Sequence, residues 1–262
     1  MSIVSSGVES KWAKVKFAHD YASTMSLTAT SEDSSYPVSN MLNRLEGNCY
    51  QSLITTTQYI TDTGSAGTST SADYLVLWLH NLYTAGATVT LQYSNDNFSS
   101  DINDAFTGET PTSDTYYFKE FTTISSEYWR IKIESATVAP KITIGYWGDI
   151  TELDWVNAQF DPNAQRIRDD VNRSETGYQL GVYTKYTERT QRFVWNKAEL
   201  AIYDKLEAWH NNVGRENFFT IWDSDDHPTE VYLMYSDGVF DCPYDFNGRY
   251  RNCSVNLTGR KA

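Results

Sequence analysis

Apolar positions along this chain recur mainly at a spacing of two, the period of a half-buried β-strand. Ala87–Tyr93 (ATVTLQY) and Tyr128–Glu134 (YWRIKIE) alternate apolar and polar side chains in this way. Tyr74–His80 (YLVLWLH) is instead a continuous apolar run of strand length, which predicts a strand covered on both faces. Lys141–Trp147 (KITIGYW) follows Ala139-Pro140 as a fourth strand. Residues 94–114 are crowded with Ser, Asn, Asp, Gly and Pro and read as a long exposed loop. Segment 20–70 is rich in Ser, Thr, Asn and Gly, as in a β domain with long loops. Strands with turn-rich spacers predict a β-sandwich or jelly roll.

A second unit begins near Gly148–Leu153. Residues 154–176 are polar and weakly patterned, a linker or an extended arm. Tyr178–Tyr186 and Thr187–Trp195 read as two paired strands. The period then lengthens. Asn196 is placed to cap a helix over 197–211, with Glu199 completing a box-like start and Gly214 ending it. Ala198, Ala201, Ile202, Leu206 and Trp209 share one face of that helix. Burying Ile202, Leu206 and Trp209 stabilises by about 1.5–3 kcal/mol each. Strands Phe218–Trp222, Val231–Tyr235 and Arg249–Leu257 complete the unit.

Composition sharpens this picture. The 262 residues suit two domains or one large β domain, and 40% are hydrophobic, enough for a substantial core. Nineteen Tyr and eight Trp suit pleated surfaces and protein interfaces. The net charge of −13 argues against direct nucleic-acid binding, which needs clustered Lys and Arg. It fits either a dispersing acidic surface or an acidic partner face. No run of about 18 apolar residues predicts a membrane span, and MSIVSSGVESKWAKVKF lacks the apolar core of a secretory signal. The three cysteines, Cys49, Cys242 and Cys253, are too few for a disulfide framework. Cys242 and Cys253 have a spacing that lets them meet across a hairpin, though reduced packing thiols are the plainer reading.

Motifs for catalysis are missing: there is no GxSxG elbow, phosphate loop or dinucleotide fingerprint, and no cofactor is expected. The four histidines have no metal-ligand spacing, and His210 is placed as a cation at a helix carboxyl end. Asp223, Asp225, Asp226 and Glu230 are oxygen ligands along one loop, but without EF-hand spacing they read as a solvated turn. Paired carboxylates that meet only in space remain an alternative that spacing does not address. Tyr36, Tyr50, Tyr116 and Tyr117 are candidates for stacking on sugar rings or partners, with core packing as the plain alternative. Trp195, Trp209, Phe219 and Trp222 are candidates for assembly or packing.

Ser31-Glu32-Asp33-Ser34-Ser35-Tyr36-Pro37-Val38-Ser39-Asn40-Met41-Leu42 resembles the opening of discoidin-type, galactose-binding-like jelly rolls. Tyr74–Leu77, Leu91–Asp96, Tyr128–Ile133 and Ile142–Gly148 resemble later strands of that family, in its order. The second unit, through Arg192–Trp195, the helix, Gly214, Phe218–Trp222, Val231–Tyr235 and Asn252–Leu257, is similar to the ring-forming domain of phage distal tail proteins. Together the resemblances imply a mainly β protein: an arm or strand over 1–26, a jelly roll over 27–150, a linker or arm over 151–176, and a small β-barrel with one packed helix over 177–262. They further imply a non-enzymatic virion protein of a long-tailed phage, assembled in the host cytoplasm into a ring, hexameric by resemblance, at the tail tip. Its partners would be copies of itself, the tail tube protein, the baseplate hub protein and the tape measure protein. The alternative is a carbohydrate-binding adhesin that touches a host cell-surface glycan. Here the jelly roll precedes the barrel, the reverse of the usual order, and the Lys11–Phe17 alternation is the candidate for a missing strand.

Overall fold

The computed structural model describes residues 14–20, 25–156, 161–224, 226–245 and 248–261. The chain forms two units: residues 18–151, and a second that joins the segment up to residue 17 with everything from residue 152. Strand β1 (Lys16–Ala18), the first among the described residues, lies in the sheet of the second unit. Lys11–Ala13 of the alternating stretch lie outside the described residues.

The first unit is a β-sandwich of jelly-roll type. Its strands are β2 (Leu27–Ala29), β3 (Tyr50–Gln51), β4 (Gln58–Asp62), β5 (Thr70–His80), β6 (Thr88–Ser94), β7 (Asn103–Asp104), β8 (Tyr116–Ser126), β9 (Tyr128–Glu134) and β10 (Lys141–Gly148). One sheet has the order β3-β10-β5-β8 and the other β2-β4-β9-β6-β7. The inward side chains form one core, including Leu75 and Leu77 of β5, Val89 and Leu91 of β6, and Trp129, Ile131 and Ile133 of β9. Alternation therefore marks β6 and β9 because only one side of each faces that core. The uninterrupted run in β5 has a second cause. Its other face buries Tyr74, Val76 and Trp78. Segments 18–20 and 43–46 meet that face: the Tyr74 hydroxyl donates to the Asp20 carbonyl, and Trp78 Nε1 donates to Glu46. The 11-residue β8 breaks the apolar pattern because it is an edge strand, mostly half-buried. The stretch 94–114 is more ordered than its composition suggests. Asp96 gathers the Ser94 and Ser100 hydroxyls and the amides of Ser99, Ser100 and Asp101, and β7 pairs with β6.

In the second unit, β11 (Thr151–Glu152), β12 (Gln165–Arg173), β13 (Gln179–Ala198), β14 (Phe218–Ile221), β15 (Val231–Ser236) and β16 (Arg251–Lys261) join β1. Where a small barrel is expected, hydrogen-bonded neighbours run β11-β1-β14-β15-β16-β13-β12. Helix α1 (Leu200–Val213) packs on this sheet through Ile202, Leu206, Trp209 and Val213, against Phe17, Phe193, Trp195 and Phe218. Gly214, with φ of 58°, ends it by donating its amide to the His210 carbonyl.

Three sequence expectations change here. The polar stretch 151–176 contains β11 and β12 rather than a linker alone. The two strands expected over 178–195 are one 20-residue strand, β13, whose partners are β12 on one side and β16 on the other. The helix starts at Leu200 because Asn196–Ala198 remain in β13: Ala198 pairs with Arg251 past a bulge, and the Lys197 amide donates to the Asn252 side chain. Glu199 is its N-cap, without a side-chain capping bond, and Ala201 is exposed. A ladder already satisfying those backbone groups outweighs a local cap worth about 1 kcal/mol.

Candidate functional site

Two surfaces stand out, one on each unit. On the first, a row of side chains crosses the outward face of the five-stranded sheet. Thr61 pairs with Arg130, Arg130 with Gln92, and Gln92 with Asp104, so the four lie side by side across β4, β9, β6 and β7. Arg130 Nε donates to Gln92 Oε1 at 2.8 Å, and Gln92 Nε2 donates to Asp104 Oδ1 at 2.8 Å. The guanidinium is held between two rings, 4.1 Å from the centroid of Tyr59 and 3.9 Å from that of Phe98. Its pKa is lowered by burial, against the opposing pull of Tyr59 and Asp104. Alternation places Arg130 here, since Trp129 and Ile131 on either side point into the core. Phe98 comes from the turn that Asp96 organises, where Ser94 Oγ accepts the Phe98 amide. Planar polar groups framed by aromatic faces suit a ring-shaped polar ligand: apolar C–H faces stack, hydroxyls meet Arg130 and Asp104 or a carboxylate meets Arg130, and the buried Gln92 holds both in place.

On the second unit, β12 and the first half of β13 form a two-stranded ribbon. The β13–β16 ladder stops at the Arg189–Gly259 pair, while β12 and β13 stay paired down to Arg173 and Gln179. About ten residues of β13 therefore run on for roughly 33 Å past its last pair with β16. The connection is a tight turn in which Gly177 has φ of 88°, Gly177 donates to the Ser174 carbonyl and Ser174 to that of Tyr178. Its apolar groups are solvent-facing on both sides: Tyr178 is 74% exposed, Leu180 65% and Tyr183 70%, with Ile167, Val182 and Tyr186 also exposed. Arg168 pairs with Glu188 at 2.7 Å and Lys185 with Asp170 at 2.8 Å across the ribbon. An isolated two-stranded ribbon is marginal in water, and exposed apolar clusters of this kind mark interaction surfaces.

The residues singled out in the sequence are distributed differently. Tyr50 is wholly buried; its hydroxyl donates to the Ser31 carbonyl and Gln58, and burial pushes its phenol up to about 12. Tyr117 is also core, donating to Glu109. Neither is available for surface stacking. Tyr36 is exposed and Tyr116 half-buried. They do not converge: the Tyr36 carbonyl accepts the Gln51 amide beside β3, whereas Tyr116 lies on β8 at the opposite edge of the four-stranded sheet. Three strand spacings separate those edges by about 14 Å. Trp195 and Trp209 lie in the second unit's core, Phe219 is buried in β14, and Trp222 is half-buried, donating to Glu230 and stacking on His227. The acidic run is only partly a solvated turn. Asp223 is buried and accepts the Asp226 amide, and Asp225 lies outside the described residues. Glu230 resists burial's upward push because Lys261, Trp222 and Asn163 donate to it, and its pKa falls to about 2. His210 stacks on Phe240 at the end of α1.

The signals for the two surfaces were present but faint. Tyr178, Leu180, Val182, Tyr183 and Tyr186 occupy both parities of a strand without an obvious core to cover them. Arg130 is an outward position in an otherwise apolar alternation, but nothing local pairs it with Tyr59 or Phe98.

No family model matches the chain, and no curated protein matches it. Among solved structures it is similar to a chitosan-binding module from a chitosanase/glucanase of Paenibacillus sp. IK-5, at 18% identity over 50% of this chain and 99% of that one, with a TM-score of 0.42. A CBM32 module of Clostridium perfringens, in complex with GalNAc-β-1,3-galactose, is 13% identical over 48% of this chain and 96% of its own, with a TM-score of 0.41. A putative α-L-fucosidase of Bacteroides thetaiotaomicron is 12% identical over 48% of this chain and 28% of its own, also with a TM-score of 0.41. Scores of this size leave the ligand chemistry to be argued from the chain's own residues.

Proposed function

We propose that this chain is a non-catalytic, carbohydrate-recognising subunit of a larger protein assembly, with the sandwich as recognition unit and the ribbon as attachment. The observation that carries it is the ribbon's solvent-facing Tyr178, Leu180 and Tyr183. Covering side chains of this size gains about 25 cal/mol for each Å² of apolar area removed from water, against the entropy lost in ordering them. A neighbouring copy of the chain is the occupant this reading commits to, since such contacts close into rings when the rotation between subunits divides a full turn. In sedimentation experiments on the full chain, the weight-average mass should rise with concentration. The double variant Leu180→Ser, Tyr183→Ser should shift that rise to at least ten-fold higher concentration. Equal association of the two proteins would remove the ribbon from the interface.

Carbohydrate recognition is supported by the row of Thr61, Arg130, Gln92 and Asp104 between Tyr59 and Phe98. A charged hydrogen bond to a ligand contributes about 1.5–3 kcal/mol, so Arg130→Ala should weaken binding at least ten-fold. The check is a glycan array with the full chain, followed by titration of the strongest hit against the wild type and this variant. An array with no reproducible hit, or a hit unchanged by the variant, would discard this surface. Within this reading, the assembly suggested by the order of sequence motifs is the tail tip of a long-tailed phage, in a ring between tail tube and baseplate hub. Labelling the chain in intact particles tests that placement.

A further inference from the structure

The register around β16 brings two thiols face to face. Outside the named strands, Tyr244 bridges to Arg251 and Asp241 to Ser254, both antiparallel, and this register sets Cys242 opposite Cys253. The Asn252 amide donates to the Pro243 carbonyl at 2.8 Å, and the Asp245 amide to the Tyr250 carbonyl at 2.8 Å. Those two bonds flank the Tyr244–Arg251 pair, making it a non-hydrogen-bonded pair. Counting two residues on, so as to alternate, Cys242 and Cys253 form the next non-hydrogen-bonded pair. In such pairs the Cα atoms are about 4.5 Å apart and the side chains are closest. That spacing lies inside the range a disulfide needs, about 4.4–6.8 Å.

The two thiols are within hydrogen-bonding reach of one another, both are buried, and no disulfide joins them. That hydrogen bond favours the first thiolate at Cys253, where the Arg251 charge also helps, and with burial it raises the Cys242 thiol. Arg251 is anchored here, donating to the Cys242 carbonyl at 3.0 Å and to the Tyr244 hydroxyl at 2.9 Å. Asp241, Pro243 and Tyr244 are exposed, so the strand carrying Cys242 is a surface strand that can open to admit a small reagent.

We propose that Cys242 and Cys253 are a disulfide site, closed by thiol–disulfide exchange with a small-molecule disulfide. The thiolate of the pair attacks one sulfur of the reagent and expels its other half as a thiolate. The second cysteine passes its proton to that leaving thiolate and displaces the remaining half. One protein S–S bond forms, the reagent's S–S bond breaks, and two small thiols are released. The closed bond staples the 241–245 strand to β16 and restricts the turn between them in the unfolded chain. Cys49, buried alone in the other unit, is the internal control.

The experiment equilibrates the folded full chain with oxidised glutathione, then quenches, denatures and counts thiols, with peptide mapping. The expected result is a loss of two of the three thiols, a mass decrease of two hydrogens, and a crosslinked Cys242–Cys253 peptide. The oxidised chain should also melt several degrees higher. Cys242→Ser should abolish the crosslink without touching Cys49. All three thiols surviving, or stable glutathione adducts on Cys242 or Cys253 in place of the crosslink, would overturn the proposal.

Discussion

Replacing Gly259 by Ala should destroy the folded state of the second unit, while the same replacement at Gly181 should be nearly silent. Gly259 sits in β16 between Arg189 of β13 and Met234 of β15. A Cβ there would lie 2.1 Å from the Leu233 carbonyl oxygen, 2.7 Å from Met234 Cα and 2.8 Å from Met234 Sδ. The first two are backbone atoms in a ladder, so no rotamer change relieves the overlap. Either β15 parts from β16, or the surrounding strands shift. Overpacking inside a core costs about 1–3 kcal/mol, and breaking a central ladder adds to that, so a loss above about 3 kcal/mol is expected. Met234 and Tyr232 of β15 belong to the core under α1, which would lose its seat. Around Gly181 in the ribbon there is nothing within 4 Å of an added Cβ, and a change within about 0.5 kcal/mol is expected. Urea midpoints of the full-length variants, followed by tryptophan fluorescence, decide the matter. A Gly259→Ala protein with a wild-type midpoint would mean that β15 and β16 are not paired in this register.

The second large effect is a loss of stability in mild acid. Burial, then the Arg44 charge, pushes His19 down to about 3. Its Nε2 lies 2.9 Å from the Thr151 hydroxyl. Burial also pushes His80 down to about 4, against the opposing pull of Asp114 and a backbone bond at Tyr116. His80 Nδ1 accepts the Leu82 amide. In the unfolded chain both rings take up a proton near pH 6.5. Between that value and the folded values, the unfolded chain binds protons that the native state refuses, so stability falls as pH falls. By pH 4 the two rings together remove about 6 kcal/mol, at 1.36 kcal/mol per unit of pKa difference. Glu230 and Asp114, whose pKa values are lowered, add their own loss only at the acid end of this window and below it. Unfolding free energy should therefore drop steeply from pH 6.5 to 4. The double variant His19→Gln, His80→Asn, which keeps an acceptor for Leu82 and a partner for Thr151, should flatten the slope. A slope undiminished in that variant would assign the acid sensitivity elsewhere.

Residue patterns alone led to a β-sandwich followed by strands around one helix, and they placed β6, β9 and β10 to within a residue or two. Alternation succeeds because it records a local fact, whether one side of a strand faces apolar neighbours. The same periodicity located Ile202, Leu206 and Trp209 on the buried side of α1. It could not say which strands pair. That is set by partners far away in the chain: β13 is one strand because β16, more than fifty residues later, holds Gln191–Trp195 and Ala198 in register. For this reason Asn196 failed as a cap, although its local signal was sound.

The sites separate in the same way. Tyr50 and Tyr117 have the side chains of surface stackers, and only packing between the two sheets put them in the core. Arg130 is outward by alternation, yet its aromatic partners come from a neighbouring strand and from a turn organised by Asp96. The ribbon's exposure follows from the β13–β16 ladder ending at Arg189. Whether a face will be apolar is written residue by residue, because it depends on side chains two positions apart. Which faces meet, and which stay uncovered, depends on where each ladder stops, and that is decided when distant strands pair.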